Sequence, residues 1–146
     1  MEKVENSEKV MKMALIHDIA ESRTGDVNYL QRQYVIRHED EAMEDILTDT
    51  ILKEELLVLW KEYEKKESIE AKIVKDADNL DVDFELQEQK KRGVYDEEWM
   101  KIRKHVAETK LYTKSAKKLW DEMQNSNPFN WHITGKNRFN NGDWKK

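Results

Sequence analysis

The chain has 146 residues and no cysteine, which excludes disulfides, cysteine-based zinc sites and a cysteine nucleophile. Charged residues make up 39% of the chain but the net charge is only −5, and this mixture of signs is typical of solvated helix faces rather than of a surface that binds duplex nucleic acid. The apolar runs are too short for a membrane span and no secretory signal is visible, so we expect one cytoplasmic domain.

Helical periodicity predicts an all-α bundle of six helices, and four glycines with one proline leave little punctuation for a turn-rich sheet. Thr50, Ser68, Asp96 and Thr113 have the side chains of helix N-caps, and Gly93 marks a helix end. The predicted helices, caps included, cover about 7–22, 35–47, 50–66, 68–92, 96–110 and 113–124, with a loop at 25–33.

The sequence changes character after residue 124, so we divide the chain into a helical domain, 1–124, and a C-terminal segment, 125–146. The segment is rich in Asn and Gly but carries Phe129, Trp131, Phe139 and Trp144. A disordered tail rarely holds so many aromatic residues, which favours an irregular strap packed on the helices or on a partner subunit. A partly ordered tail is the alternative.

The first predicted helix contains the stretch ALIHDIAESRTGD, residues 14–26, and is apolar nearly all round, which predicts burial. His17, Asp18 and Glu21 lie within that apolar surround. A buried carboxylate needs a cation or several hydrogen-bond donors, and an imidazole beside it suits a divalent metal ion. The alternative is that His17 bonds a core carbonyl and Asp18 pairs with an Arg or Lys.

A further acid stands on the fourth predicted helix, in the stretch IVKDADNLDVDFEL. Asp78 lies between Val74 and Val82 in a row spaced by four, so it needs a cation more than Asp76 or Asp81 does. The alternative is an acid that is partly exposed or paired with a lysine. Asp83 is predicted to face solvent. Helical spacing predicts that the main apolar stripe forms the buried face of this helix, and the stripe contains Ile69, Ile73, Ala77, Leu80 and Phe84.

These two stretches contain the patterns HDxxExxxGD (17–26) and VKxxD (74–78), which resemble those of the HD-domain superfamily of metal-dependent phosphohydrolases. The likeness covers about 10–93 and is nearest to the branch with bacterial 5′-deoxynucleotidases. It implies a helical bundle, and a divalent metal ion held by His17, Asp18 and Asp78. It also implies that Glu21 and Asp26 position or deprotonate the water that attacks a small phosphomonoester, such as a (deoxy)nucleoside 5′-monophosphate.

The remaining predicted site residues are two cations and a hydroxyl near these motifs. Arg23 and Lys75 are placed to clamp the phosphate, with surface ion pairs as the alternative, and Thr24 to donate to a sugar or phosphate. Mn²⁺, Co²⁺, Mg²⁺ and Zn²⁺ all accept such ligands, so the sequence does not distinguish them.

One element of the family's pattern has no counterpart here: none of the sixteen residues before His17 is a histidine, although the family has its first metal-binding His there. We expect that the usual N-terminal helix is missing from this sequence; the alternative is that His38, His105 or His132 fills the position. A missing helix would expose apolar surface on the first helix and favour a homodimer or higher homo-oligomer.

A non-enzymatic helical module, acting through oligomerisation or partner binding, is the competing function. The surface through which such a module binds its partner would include some of the tryptophans. Helical spacing instead predicts core packing for Trp60, Trp99 and Trp120.

Overall fold

The computed structural model describes residues 2–94 and 96–134, apart from the side chains of residues 132 and 133, and every regular element in this part of the chain is helical. Six of the helices have nine residues or more, which confirms the all-α prediction. The elements are α1 (Ser7–Ile16), α2 (Glu21–Thr24), a 3-10 turn (Gln31–Gln33), α3 (Glu39–Leu47), α4 (Lys53–Lys65), α5 (Ile69–Lys91), α6 (Glu97–Thr109), α7 (Lys114–Gln124) and α8 (Asn130–Thr134).

Side-chain caps begin three of the helices where the sequence predicts them. Ser68, Asp96 and Thr113 accept hydrogen bonds from backbone N–H groups of α5, α6 and α7, at distances of 2.8 to 3.3 Å. These bonds satisfy donors that have no partner inside the helix. Gly93 follows the end of α5 with φ of +87°, a conformation that favours glycine. These four predictions are confirmed.

Three predicted helix starts or ends are wrong by several residues. The first helix stops at Ile16 and resumes as α2 after a turn, and α3 begins at Glu39 rather than near residue 35. Val35 and Ile36 are exposed, so no tertiary packing supports helix there. Thr50 does not cap α4; its hydroxyl donates to the carbonyl oxygen of Leu47 at 2.8 Å, and α4 begins three residues later.

The described chain forms two compact units, residues 3–75 and residue 2 with the residues from 76 onward, and α5 runs through both. In the first unit α4 packs against α1 and α3. Its buried side chains form two clusters: Ile16, Ala20, Ala42, Met43, Leu47 and Trp60 in one, and Met13, Tyr63, Ala71 and Val74 in the other. The core position predicted for Trp60 is confirmed.

The second unit has its core where α5, α6, α7 and the turn between α6 and α7 supply apolar side chains: Leu80, Ala107, Leu111, Ala116 and Met123 are buried, and Trp120 packs against them. Trp120 therefore contributes to a core, as predicted. Trp99 does not, because it is half-exposed and lines an open groove of about 430 Å³ with Val82, Leu86 and Met100.

The predicted orientation of α5 is wrong, because its buried face includes acids. Asp76 and Asp83 are buried, whereas Ala77 and Phe84 are exposed to a large extent. The carboxylate of Asp76 accepts hydrogen bonds from two backbone N–H groups in the turn between α6 and α7, both at 2.8 Å. Those donors offset the cost of removing the carboxylate from water.

Asp83, predicted to face solvent, forms a buried ion pair with Arg103 of α6. The Nε and Nη2 of Arg103 donate to its two carboxylate oxygens at 2.9 and 2.8 Å, and Nη2 also donates to the carbonyl oxygen of Asn79 at 2.6 Å. Both oxygens are thus bonded in the forked geometry that arginine favours. The pair holds α6 against α5.

The prediction that α1 is buried nearly all round is also wrong. Met11 and Leu15 are 63% and 78% exposed, while Met13 and Ile16 on the other face are buried. Within the first unit α1 packs against α4, which covers one side of the helix.

The part of the C-terminal segment that the structure describes contains α8. Phe129 lies 5.6 Å from the guanidinium carbon of Arg92 in a cation–π contact, and Trp131 is exposed. Phe139 and Trp144 lie outside the described residues. No helix in the described part of the chain combines the length and apolarity that a membrane crossing requires.

Candidate metal and catalytic site

The His-Asp pair lies in a turn between α1 and α2 rather than inside a helix. Backbone N–H groups of Ile19 and Glu21 donate to the carbonyl oxygens of Ile16 and Asp18 at 3.1 and 2.9 Å, which closes the chain tightly. Ile16 and Ala20, on either side of the pair, are buried in the first core cluster. The turn is therefore anchored at both ends, and His17 and Asp18 project from it, half-buried and exposed respectively.

The hydrogen bonds of His17 determine which ring nitrogen carries the hydrogen and which one presents a lone pair to Asp18. Nδ1 lies 2.8 Å from the carbonyl oxygen of Ala14, which can only accept, so Nδ1 carries the hydrogen. Nε2 lies 2.9 Å from Oδ2 of Asp18. A neutral Nε2 and a carboxylate oxygen are both acceptors, so this approach requires a cation: a second proton on the ring or a metal ion.

Aromatic packing orients the His17 ring. The buried Tyr63 of α4 meets it edge-on, with centroids 5.5 Å apart and planes at 75°. The ammonium of Lys66 lies 3.3 Å from the centre of the Tyr63 ring. Lys66 ends α4 in the left-handed conformation, with φ of +53°. The imidazole is therefore held both by its Nδ1 hydrogen bond and by a tyrosine that packs in the core.

Asp78 supplies the third group of the predicted metal site. It is half-buried on α5, one turn beyond the buried Val74. Together with His17 and Asp18 it completes the set of three predicted ligands, and this set remains a prediction. One imidazole nitrogen and two carboxylate oxygens suit a hard or borderline divalent ion, and leave coordination positions for water and substrate.

The other two predicted acids differ in their surroundings. Glu21, the first residue of α2, is half-buried and accepts a hydrogen bond from Nη1 of Arg37 at 3.0 Å. Asp26 is exposed and follows Gly25, whose φ of +81° turns the chain out of α2. The actions on water predicted for these two acids remain predictions.

The predicted substrate-binding residues lie on two helices. Arg23 is exposed on α2, and Lys75 is half-buried on α5. The hydroxyl of Thr24 donates to the carbonyl oxygen of Ala20 at 3.3 Å. Their contacts with phosphate or sugar remain predictions.

The structure describes the side chains of two of the three histidines considered as substitutes for the family's first His. His38 is exposed on the N-terminal side of α3, with Nδ1 3.2 Å from a carboxylate oxygen of Glu41. His105 is exposed on α6, and the side chain of His132 lies outside the described residues.

Arg37 is a charged neighbour of the site that the sequence analysis missed. Its Nη1 lies 3.0 Å from Glu21 and 2.7 Å from Glu39, so one guanidinium joins α2 to the first turn of α3. Burial raises the pKa of the Glu39 carboxyl, and the positive charge of Arg37 acts in the opposite direction. The available signal is an arginine directly before the acidic stretch HEDE, residues 38–41, where the periodicity predicts a helix that the structure begins only at Glu39.

Comparison with known proteins identifies the family of this chain. The sequence profile of the HD domain matches residues 1–122. The chain belongs to the HD-domain family. This match includes the His-Asp turn, Asp78 and both core clusters of the first unit.

Several curated relatives resemble a part of this HD-domain chain. A 5′-deoxynucleotidase of Danio rerio is 41% identical over 88 residues, which are 57% of this chain and 44% of that protein. The human 5′-deoxynucleotidase is 36% identical over 88 residues, 57% and 43% of the two chains. A 5′-deoxynucleotidase of Schizosaccharomyces pombe is 36% identical over 86 residues, 53% and 43%. The chain thus spans less than half the length of the curated relatives it matches, and no solved structure gives a significant match.

Proposed function

We propose that this HD-domain protein is a phosphohydrolase that depends on a divalent metal ion and cleaves a small phosphomonoester, specifically a (deoxy)nucleoside 5′-monophosphate. The observation that carries the proposal is the His17–Asp18 pair in its anchored turn, with Nε2 2.9 Å from the Asp18 carboxylate, in a chain that matches the HD domain over residues 1–122. The substrate class rests on the relatives, which are named 5′-deoxynucleotidases. We further propose that it acts in the cytoplasm.

His17, Asp18 and Asp78 would hold the metal ion, with Nε2 as the imidazole ligand because Nδ1 is bonded to a carbonyl oxygen. A divalent ion in such a site supplies Lewis-acid polarisation of the phosphoryl oxygen and a lowered pKa for water. Mn²⁺, Co²⁺, Mg²⁺ and Zn²⁺ all fit one nitrogen and two oxygen ligands.

The remaining proposed residues act on water and on the phosphate. Glu21 follows Asp18 by three residues and is assigned to orient the attacking water and accept its proton. Asp26 is assigned to orient the same water. Arg23 and Lys75 are assigned to the phosphate charge, and Thr24 to a hydrogen bond with phosphate or sugar.

The first test is metal binding followed by catalysis. We expect Mn²⁺ or Co²⁺ to raise the melting temperature of the metal-free protein, because a ligand that binds only the folded state stabilises it. The loaded protein should then release phosphate from nucleoside 5′-monophosphates faster than from the 3′-monophosphates. Calorimetric titration and a phosphate-release assay measure the two results. Metal binding without phosphate release from any of these nucleotides would contradict the proposed reaction.

A second candidate function is self-association of a helical module, and the exposure of Met11 and Leu15 on α1 favours it. Adjacent exposed apolar side chains mark surfaces that associate. We expect Leu15→Glu to convert a homo-oligomer into a monomer in size-exclusion chromatography with light scattering. Ile51→Glu, at a fully exposed site in the loop before α4, is the matched control and should leave the molar mass unchanged. A wild-type protein that is already monomeric would exclude this function.

A further inference from the structure

The first unit contains an ion-pair cluster of three charged side chains beside the His-Asp turn. Nη1 of Arg37 lies 3.0 Å from Oε1 of Glu21 and 2.7 Å from Oε1 of Glu39. The side chains of Arg37, Glu21 and Glu39 are 16%, 21% and 24% exposed, so water screens these charges much less than in a surface ion pair. Three different segments meet here: α2, the connection before α3, and the first turn of α3.

The helix that carries Glu21 cannot fix this side chain by itself. α2 has four residues, none of which is buried, and no side chain caps its N-terminus. A single helical turn is only marginally stable without tertiary contacts. The bond from Arg37 is therefore the described contact that ties the Glu21 carboxylate to the better-packed α3, in which Ala42, Met43 and Leu47 are buried.

We propose that Arg37 is the positioning residue for Glu21, and that Glu39 anchors Arg37 for this purpose. The inference rests on the proposed function, because it assumes that Glu21 acts on the attacking water. A carboxylate accepts a proton from the attacking water efficiently only if it is held in a fixed position. The guanidinium of Arg37 determines which Glu21 oxygen remains available for that proton. Glu39 holds the other side of the same nitrogen, so Arg37 cannot turn toward solvent without losing both bonds.

The decisive experiment is a double-mutant cycle on activity with Arg37→Ala, Glu21→Gln and the combined variant. We expect Arg37→Ala to lower kcat about 10- to 100-fold, the usual range for groups that orient a functional ligand, with KM changed by less than about threefold. In the Glu21→Gln background the same change should cost less than about twofold, because Arg37 then has no acid to position. Arg37→Lys should recover part of the activity, and Glu39→Gln should lose less than Arg37→Ala.

Two outcomes would overturn the assignment. If Arg37→Ala reduces kcat equally in both backgrounds, Arg37 acts independently of Glu21. If it raises KM about tenfold or more at constant kcat, Arg37 binds the phosphate directly. Arg92→Ala, which removes an exposed guanidinium paired with Glu88, is the matched control and should leave both constants unchanged.

A stability cycle on the same four proteins separates this inference from the proposed function. We expect Arg37→Ala to lower the urea midpoint in the wild-type background and to lower it less in the Glu21→Gln background. A nonzero coupling shows that the two side chains interact in solution even if no variant releases phosphate, in which case the proposed function alone fails. Additive midpoints would refute the role assigned to Arg37.

Discussion

The Asp18→Ala variant should lose phosphohydrolase activity by about 1,000-fold or more while keeping the fold. The expected loss is large because changing even a residue outside the ligand shell costs about 10- to 100-fold, and Asp18 is proposed as a ligand. Its side chain is exposed and contacts His17 in the turn, so little packing is lost with it. The variant should also bind Mn²⁺ more weakly in a calorimetric titration.

Asp40→Ala is the matched control for this prediction, since it removes another exposed aspartate from the same unit, on α3. It should retain wild-type activity and metal affinity. Circular dichroism melting of both metal-free variants should stay close to wild type. An Asp18→Ala protein with unchanged metal affinity and unchanged turnover would remove Asp18 from the site and, with it, the proposed reaction.

Three of the four helix caps were predictable because their chemistry is local. Asp96 and Thr113 stand within three residues of the N–H groups that they accept from, so sequence alone contains both partners. Gly93 was predictable for the same reason, since the left-handed conformation is a property of that residue. The helix starts that were predicted wrongly depend on tertiary packing. Residues 35–38 by themselves do not indicate that the side chains of Val35 and Ile36 remain exposed.

The buried acids of α5 show where sequence reasoning stops. The donors to Asp76 lie 36 and 37 residues further along the chain, and the partner of Asp83 lies 20 residues away. An apolar stripe predicts the buried face of a helix only if no acid on that helix finds hydrogen-bond partners in the core. A carboxylate with such partners can be buried in place of an apolar side chain. Asp78 was singled out for needing a cation, but Asp76 and Asp83 are more deeply buried.

The candidate site also contains some residues that the sequence predicts and others that it does not. His17, Asp18 and Asp78 could be named from two short patterns and a resemblance, and the structure places the side chains of the first two 2.9 Å apart. Arg37 could not, because its importance lies in two carboxylates on separate helices that meet only in the folded unit. The packing of Tyr63 against His17, and of Lys66 on the Tyr63 ring, likewise could not be predicted from the spacing of residues.

The Arg103→Ala variant should destabilise the folded protein by about 3–5 kcal/mol, because removing one partner of a buried ion pair leaves the other charge uncompensated. The side chains of Arg103 and Asp83 are 10% and 4% exposed. The change also removes the donor to the carbonyl oxygen of Asn79. Urea unfolding followed by circular dichroism measures the loss, and Lys101→Ala, which removes an exposed pair with Glu98 on the same helix as Arg103, should cost less than about 0.5 kcal/mol.

A double replacement tests whether the loss arises from the unpaired charge rather than from the missing contacts. The Asp83→Leu, Arg103→Met protein has no buried charge at this position and keeps apolar volume between α5 and α6. It should therefore be more stable than Arg103→Ala by about 2 kcal/mol or more, since apolar replacement of a whole buried pair is often neutral or stabilising. If the double variant is as unstable as the single one, the hydrogen bonds of Arg103, including the one to Asn79, matter more than the desolvated charge of Asp83.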